Sequence, residues 1–159
     1  MNCDNKCSTC STKCNLLCPI CNKQVKNVPI QTVKSLIKHD INLLETEETY
    51  ICLNKKCNLV YFQNNNPSYY FKNDVNKPVW FKEKYPNYIV CYCRNIYLKE
   101  IVELIQSINQ DNLTKEEIIK LLKKEKAEEN CLNNNPLGES CDKLFKNAIE
   151  FAYNQKKRV

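Results

Sequence analysis

The chain has 159 residues, 12 cysteines, one glycine and a formal net charge of +6. That length suffices for one domain, or two small ones, with a core of their own. No apolar run approaches the roughly 18 residues a membrane span needs, and the opening MNCDNKCSTC has neither the basic nor the apolar region of a signal peptide. Membrane insertion is therefore not expected. The expected location is a reducing cytoplasm, where clustered thiols mean metal more often than disulfides.

Residues 1–17 are polar and cysteine-rich and read as an appendage without a core. Their Cys3, Cys7, Cys10 and Cys14, spaced by two or three residues, can wrap a soft cation such as Cu⁺ or Zn²⁺, or form an unliganded thiol tail. In TVKSLIKH (32–39), Val33, Leu36 and Ile37 fall at helical spacing, with Thr32 as the expected N-cap. TYICLN (49–54) and NLVYFQ (58–63) read as strands joined by a polar turn, and NNNPSYYFKND as a loop leading into an edge strand. After Cys93 the period changes to that of helices. Ile101, Leu104, Ile105 and Ile108 mark one apolar face, and TKEE from Thr114 is a capping box opening a second helix. The turn NNNPLGES holds Gly138, and a last helix follows with Ser140 as N-cap and Leu144, Phe145, Ala148, Ile149 and Ala152 on one face. The fold class expected is α+β, with a small β-rich module at 18–86 packed on a helical module at 87–155, and a basic, solvated tail at 156–159.

Eight further cysteines form two groups of four. Cys18-x₂-Cys21 and Cys52-x₄-Cys57, some thirty residues apart, have the spacing of a zinc ribbon, in which two tight turns present four thiolates to one tetrahedral ion. Such a site is closed and stabilises the fold; Fe²⁺ in place of zinc, or buried thiols without metal, are the competing readings. Cys91, Cys93, Cys131 and Cys141 remain. Four thiolates are the usual complement of a [2Fe–2S] cluster, and Cys91 and Cys93, on one face of an extended segment, suit bonds to a single iron. A second zinc, or thiols without metal, compete here. Near the N-terminus of the last helix, Cys141 is expected to have a depressed pKa, and Gly138 is expected at positive φ, letting backbone N–H groups approach sulfur.

The order CPICNKQVKNVPIQTVKSLI, YICLNKKCNLVYF, Lys82–Glu83, CYC at 91–93 and CLNNNPLGESC resembles the zinc- and [2Fe–2S]-bearing N-terminal domain of CopZ-type copper chaperones, a family that includes cluster-binding metallochaperones. The resemblance runs from Cys18 to about Ala152 and implies zinc on Cys18, Cys21, Cys52 and Cys57. It implies a [2Fe–2S] cluster on Cys91, Cys93, Cys131 and Cys141, in a helical half similar to bacterioferritin-associated ferredoxins. It also implies a copper-transporting ATPase or a redox protein as partner. Two departures stand out. The sequence contains no M-x-C-x-x-C copper loop, its only methionine being Met1, and Leu132 and Asp142 stand where relatives carry extra cysteines.

The function expected is that of an iron–sulfur and zinc binding metallochaperone or redox protein, its cluster passing one electron. Alternatives are a ferredoxin-like carrier or redox sensor without a copper role, and an all-zinc module that binds nucleic acid or protein. Each four-thiolate site would carry about −2, so two of them would lower the charge of +6 to about +2 and weaken the nucleic-acid reading. With a single glycine there is no phosphate-binding loop, and no paired carboxylates suggest hydrolysis, so no enzyme is expected. His39 is expected to be a solvated surface residue. Trp80, Phe81, Tyr88 and Tyr92 are expected in the core or shielding the cluster.

Overall fold

The computed structural model describes residues 16–39, 42–66 and 68–157. Cys3, Cys7, Cys10 and Cys14 lie outside them, as does the end of the basic tail.

Strand β1 (Val25–Val28) leads into helix α1 (Ile30–Leu36), and β2 (Thr49–Cys52), β3 (Leu59–Gln63) and β4 (Tyr69–Phe71) follow. The four strands form one sheet in chain order, antiparallel throughout, with β4 at an edge. β3 is buried along its whole length because α1 covers the sheet: Val33, Leu36, Ile51, Val60 and Tyr61 form one apolar cluster. Helix α1 begins earlier than its apolar spacing indicates. Pro29 occupies the N-cap position, and Thr32, inside the helix, turns its hydroxyl to the carbonyl of Leu132 at 2.6 Å.

Two 3₁₀ turns, Lys72–Asp74 and Trp80–Lys82, lead to a hairpin of β5 (Ile89–Cys91) and β6 (Ile96–Tyr97). Helices α2 (Leu98–Ser107), α3 (Lys115–Leu121), α4 (Cys131–Asn134) and α5 (Asp142–Lys156) complete the chain. The capping box is present: the Thr114 hydroxyl accepts from the Glu117 amide at 3.2 Å, and the Glu117 carboxylate accepts from the Thr114 amide at 2.8 Å. Ile101, Ile105, Ile118, Leu144, Phe145, Ala148 and Ala152 form the helical core.

Trp80 packs against both cores and stands edge-on to Phe81 and Tyr88 at 5.2 and 5.4 Å between ring centroids. Tyr92 is fully buried and Phe81 nearly so, while His39 is exposed. Helix α4 and the segment after it are fastened to the sheet side by Thr32 and Tyr61, so the two halves meet at the stretch that carries Cys131 and Cys141.

Candidate metal centres

The first quartet sits at one end of the sheet on two tight turns. In the first, the Cys18 amide donates to the Lys23 carbonyl and the Asn22 amide to the Cys18 carbonyl, both at 2.9 Å. Asn22 takes φ +55°, a conformation asparagine tolerates better than most side chains. In the second, the Cys57 amide donates to the Asn54 carbonyl, and the Lys56 amide to the Asn54 side chain, both at 3.1 Å. The pairing of Val25 with Cys52 across β1 and β2 brings the turns together.

The sulfurs of Cys18 and Cys57 are 4.0 Å apart, those of Cys21 and Cys52 3.6 Å, and all four lie within 4.8 Å of one another. A tetrahedral ion with Zn–S bonds of ~2.3 Å separates its ligands by about 3.8 Å, so this donor set fits zinc. Leu59 and Phe62 close the site from inside, and only Cys21 is partly exposed. Burial acts to raise the Cys21 pKa, but hydrogen bonds from Asn54, Cys18, Lys23 and Cys52 outweigh it and bring it down to about 6. Burial pushes the thiols of Cys52 and Cys57 up. One negative charge settles easily among four crowded sulfurs; further deprotonation needs a cation.

Lys82 supplies a fixed positive charge nearby. It is 6% exposed, and its Nζ donates to the carbonyls of Asn54 at 2.8 Å and Cys57 at 3.1 Å, clamping the second turn from beneath. Burial lowers its pKa, and the thiols of Cys52, Cys57 and Cys18 act in the opposite direction.

The second quartet is arranged differently. Cys91 ends β5, whereas Cys93 lies in the turn after it, so the two are not neighbours on one strand as the sequence suggests. Tyr92 between them is driven into the core. Its hydroxyl donates to the Pro78 carbonyl and accepts from the Trp80 amide, both at 2.8 Å. Cys131 opens α4, and Cys141, rather than Ser140, occupies the N-cap position of α5. Sulfur–sulfur separations are 3.9 Å for Cys93 with Cys131 and 3.8 Å for Cys131 with Cys141. Cys93, Cys131 and Cys141 are thus strung in a row rather than gathered around one point, and the Cys141 thiol acts on the pKa of Cys91. Among the described residues, only the first quartet has all its sulfurs within 4.8 Å of one another.

A string longer than one tetrahedron matches a donor set for two metal atoms better than one closed around a single ion. The Asn130 amide donates to the Cys93 sulfur at 3.3 Å. The hydrogen bond from Cys141, helped by the backbone and charge of Arg94 and by Lys115 and opposed by burial, lowers the Cys91 pKa to about 6. The same bond pushes Cys141 up, with burial adding to it, which reverses the direction expected from its helix position. Arg94 has Nε and Nη1 buried without a hydrogen-bond acceptor. Orphaned donors on the residue that follows Cys93 are what an anionic, sulfur-rich group would satisfy, so the residues present fit a [2Fe–2S] cluster.

Gly138 takes φ +67°, as expected. The close approach it permits is to α1 rather than to sulfur: a Cβ there would stand 2.5 Å from Thr32 Oγ1 and 3.0 Å from Pro29 Cδ. The sequence alone gives Arg94, Lys115 and Lys82 no role at either quartet. The available signal was a cation directly after Cys93 and a lysine inside the apolar stretch VWFK.

A family model described as a zinc binding domain, of the CopZ type, matches residues 15–76, which contain the whole first quartet and end before the second. Among solved structures, the N-terminal domain of CopZ from Archaeoglobus fulgidus aligns with a TM-score of 0.61 at 25% identity. The alignment covers 83% of this chain and 96% of that one. The chain is similar to a CopZ-type domain. Curated proteins give no match. Mixed helix and sheet with a small antiparallel sheet, and a cysteine cluster suited to zinc, are features of the chain itself. Among the described residues no helix is long and apolar enough to cross a membrane.

Proposed function

We propose that the chain is a cytoplasmic metallochaperone or redox protein, not an enzyme, which holds zinc on the first quartet and a [2Fe–2S] cluster on the second. The observation that carries this reading is the contrast between the quartets, one compact enough for a single tetrahedral ion and the other strung out beside unpaired buried donors. Residues 18–86 act as the zinc-ordered scaffold, and residues 87–155 as a cluster-holding unit of the bacterioferritin-associated ferredoxin kind. When bound, the cluster supplies one-electron chemistry at the protein surface. The chain's own residues hold and shield it. Cys91 and Cys141 are buried, Cys93 and Cys131 are partly exposed, and Leu132 beside them is 39% exposed. That edge is the route for an electron to a partner.

The CopZ similarity directs the proposal toward copper: reduced protein passes one electron to Cu²⁺, giving Cu⁺ and oxidised protein. A copper-transporting ATPase, or a redox protein that replenishes the electron, is the matching partner. The N-terminal Cys3, Cys7, Cys10 and Cys14 are the proposed auxiliary site for the Cu⁺ formed. The test is anaerobic addition of Cu²⁺ to dithionite-reduced, desalted protein with a Cu⁺-specific chromogenic chelator present. One Cu⁺ per oxidised cluster supports the reading. Rapid oxidation by a ferredoxin-type acceptor with no reaction toward Cu²⁺ replaces it with a carrier that has no copper role.

A further inference from the structure

The side chain of Arg94 is 11% exposed, and its Nε and Nη1 are sealed from solvent without an acceptor. Its nearest carboxylate, Glu129, lies 3.4 Å from Nη1 but fails the geometry of a hydrogen bond. That carboxylate is 57% exposed and is shared with Lys115, which also pairs with Asp142 at 2.6 Å. Glu129 thus offsets charge without occupying the guanidinium's inner donors. A buried guanidinium with two idle N–H groups is costly in a folded protein. It is kept most readily where a bound group supplies the missing acceptors. The elements around it narrow what that group is. Arg94 follows Cys93 directly, and its backbone and its charge both act to lower the pKa of the Cys91 thiol.

We propose that Arg94 donates its buried N–H groups to sulfur atoms of the cluster and thereby raises the cluster's reduction potential and retention. This inference rests on the proposed [2Fe–2S] assignment. An oxidised cluster with four thiolates carries two negative charges; one electron, from dithionite in the experiment, adds a third and turns one ferric ion ferrous. A fixed guanidinium favours the more negative state. Hydrogen bonds to cluster sulfur act in the same direction. Lysine at this position keeps the charge but loses the planar fork of donors.

The experiment uses the full chain, purified anaerobically as wild type, R94K and R94M, with iron, sulfide and zinc counted first. Midpoint potentials are then read from the visible spectrum during dithionite titration, and iron loss is followed under a chelator. R94M is expected to lower the reduced-to-oxidised ratio at fixed solution potential at least tenfold, which is 59 mV for one electron, and to lose iron several-fold faster. R94K is expected between R94M and wild type. Should R94M take up no iron while keeping its zinc, R94K decides: a potential below wild type supports the proposal, and one equal to it overturns it. Equal potentials for wild type and R94M at full iron content overturn it as well, leaving the donors to water. Wild-type protein without iron and sulfide overturns the cluster assignment itself, and this inference with it.

Discussion

The hydroxyl of Tyr61, on β3, donates to the carbonyl of Pro136 at 2.8 Å inside the molecule. Tyr61 is fully buried, and Pro136 lies between Cys131 and Cys141. With the Thr32 hydroxyl on the Leu132 carbonyl, this bond ties the stretch carrying two thiols of the second quartet to the sheet ordered by the first. Replacing Tyr61 by Phe leaves a buried carbonyl without a donor. It is expected to cost about 1–3 kcal/mol in urea unfolding, with zinc content unchanged and iron loss accelerated. Unchanged stability and iron loss would show that the two halves are not coupled here.

Gly138→Ala tests the same junction sterically. The added Cβ meets Thr32 Oγ1 at 2.5 Å on a backbone at φ +67°. Strain at positive φ alone costs about 1 kcal/mol or more, and the clash displaces the hydroxyl that holds Leu132. We expect destabilisation of about 1–3 kcal/mol by thermal or urea unfolding. A neutral substitution would mean that α1 and the turn at Gly138 separate freely.

Lys82→Met probes the support beneath the first quartet. Methionine fills the space but leaves the Cys57 carbonyl without its Lys82 donor, leaves the Asn54 carbonyl only the Cys57 amide, and removes a cation beside the thiolates. Loss of such outer support typically weakens metal binding about 10–100-fold. Competition with a zinc chelator reads this directly; wild-type zinc affinity in the variant would place the clamp outside the site's energetics.

Thiol pH dependence offers a fourth check. In zinc-free protein the Cys21 thiol, held at about 6 against an ordinary 9.0, is a thiolate at pH 7, while Cys52 and Cys57 are not. A depressed pKa contributes stability that is complete above the ordinary value and is lost as pH falls through about 6. Iodoacetamide followed by peptide mapping should therefore label Cys21 ahead of Cys52 and Cys57 at pH 7, with its rate falling below pH 6. Uniform labelling of these three would mean that the two turns do not persist without metal.

Periodic and capped elements were the legible ones. TYIC and LVYFQ are strands, Thr114 and Glu117 form their box, and Leu144, Phe145, Ala148 and Ala152 face the core. Strand β1, VKNV, escaped because its two apolar residues surround a polar pair, and only its register with β2 makes it a strand. Helix α4 has four residues, too few for any period, and exists because Asn130 caps it and Thr32 holds it. Spacing grouped the cysteines; the structure gathers Cys18, Cys21, Cys52 and Cys57 within 4.8 Å and sets Cys93 and Cys141 each within 3.9 Å of Cys131. It did not show that Cys91 and Cys93 part at a strand end, because that depends on Tyr92 being drawn to Pro78 and Trp80. Nor did it show that Lys82 and Arg94 are buried cations, since burial arises from segments distant in sequence.

The most direct test of the account is the metal content of anaerobically purified protein, counted together with acid-labile sulfide and followed by EPR after dithionite reduction. The account predicts one zinc, two irons and two sulfides per chain, with an EPR signal only in the reduced state. Two zincs with neither iron nor sulfide would contradict it and make the second quartet a zinc site.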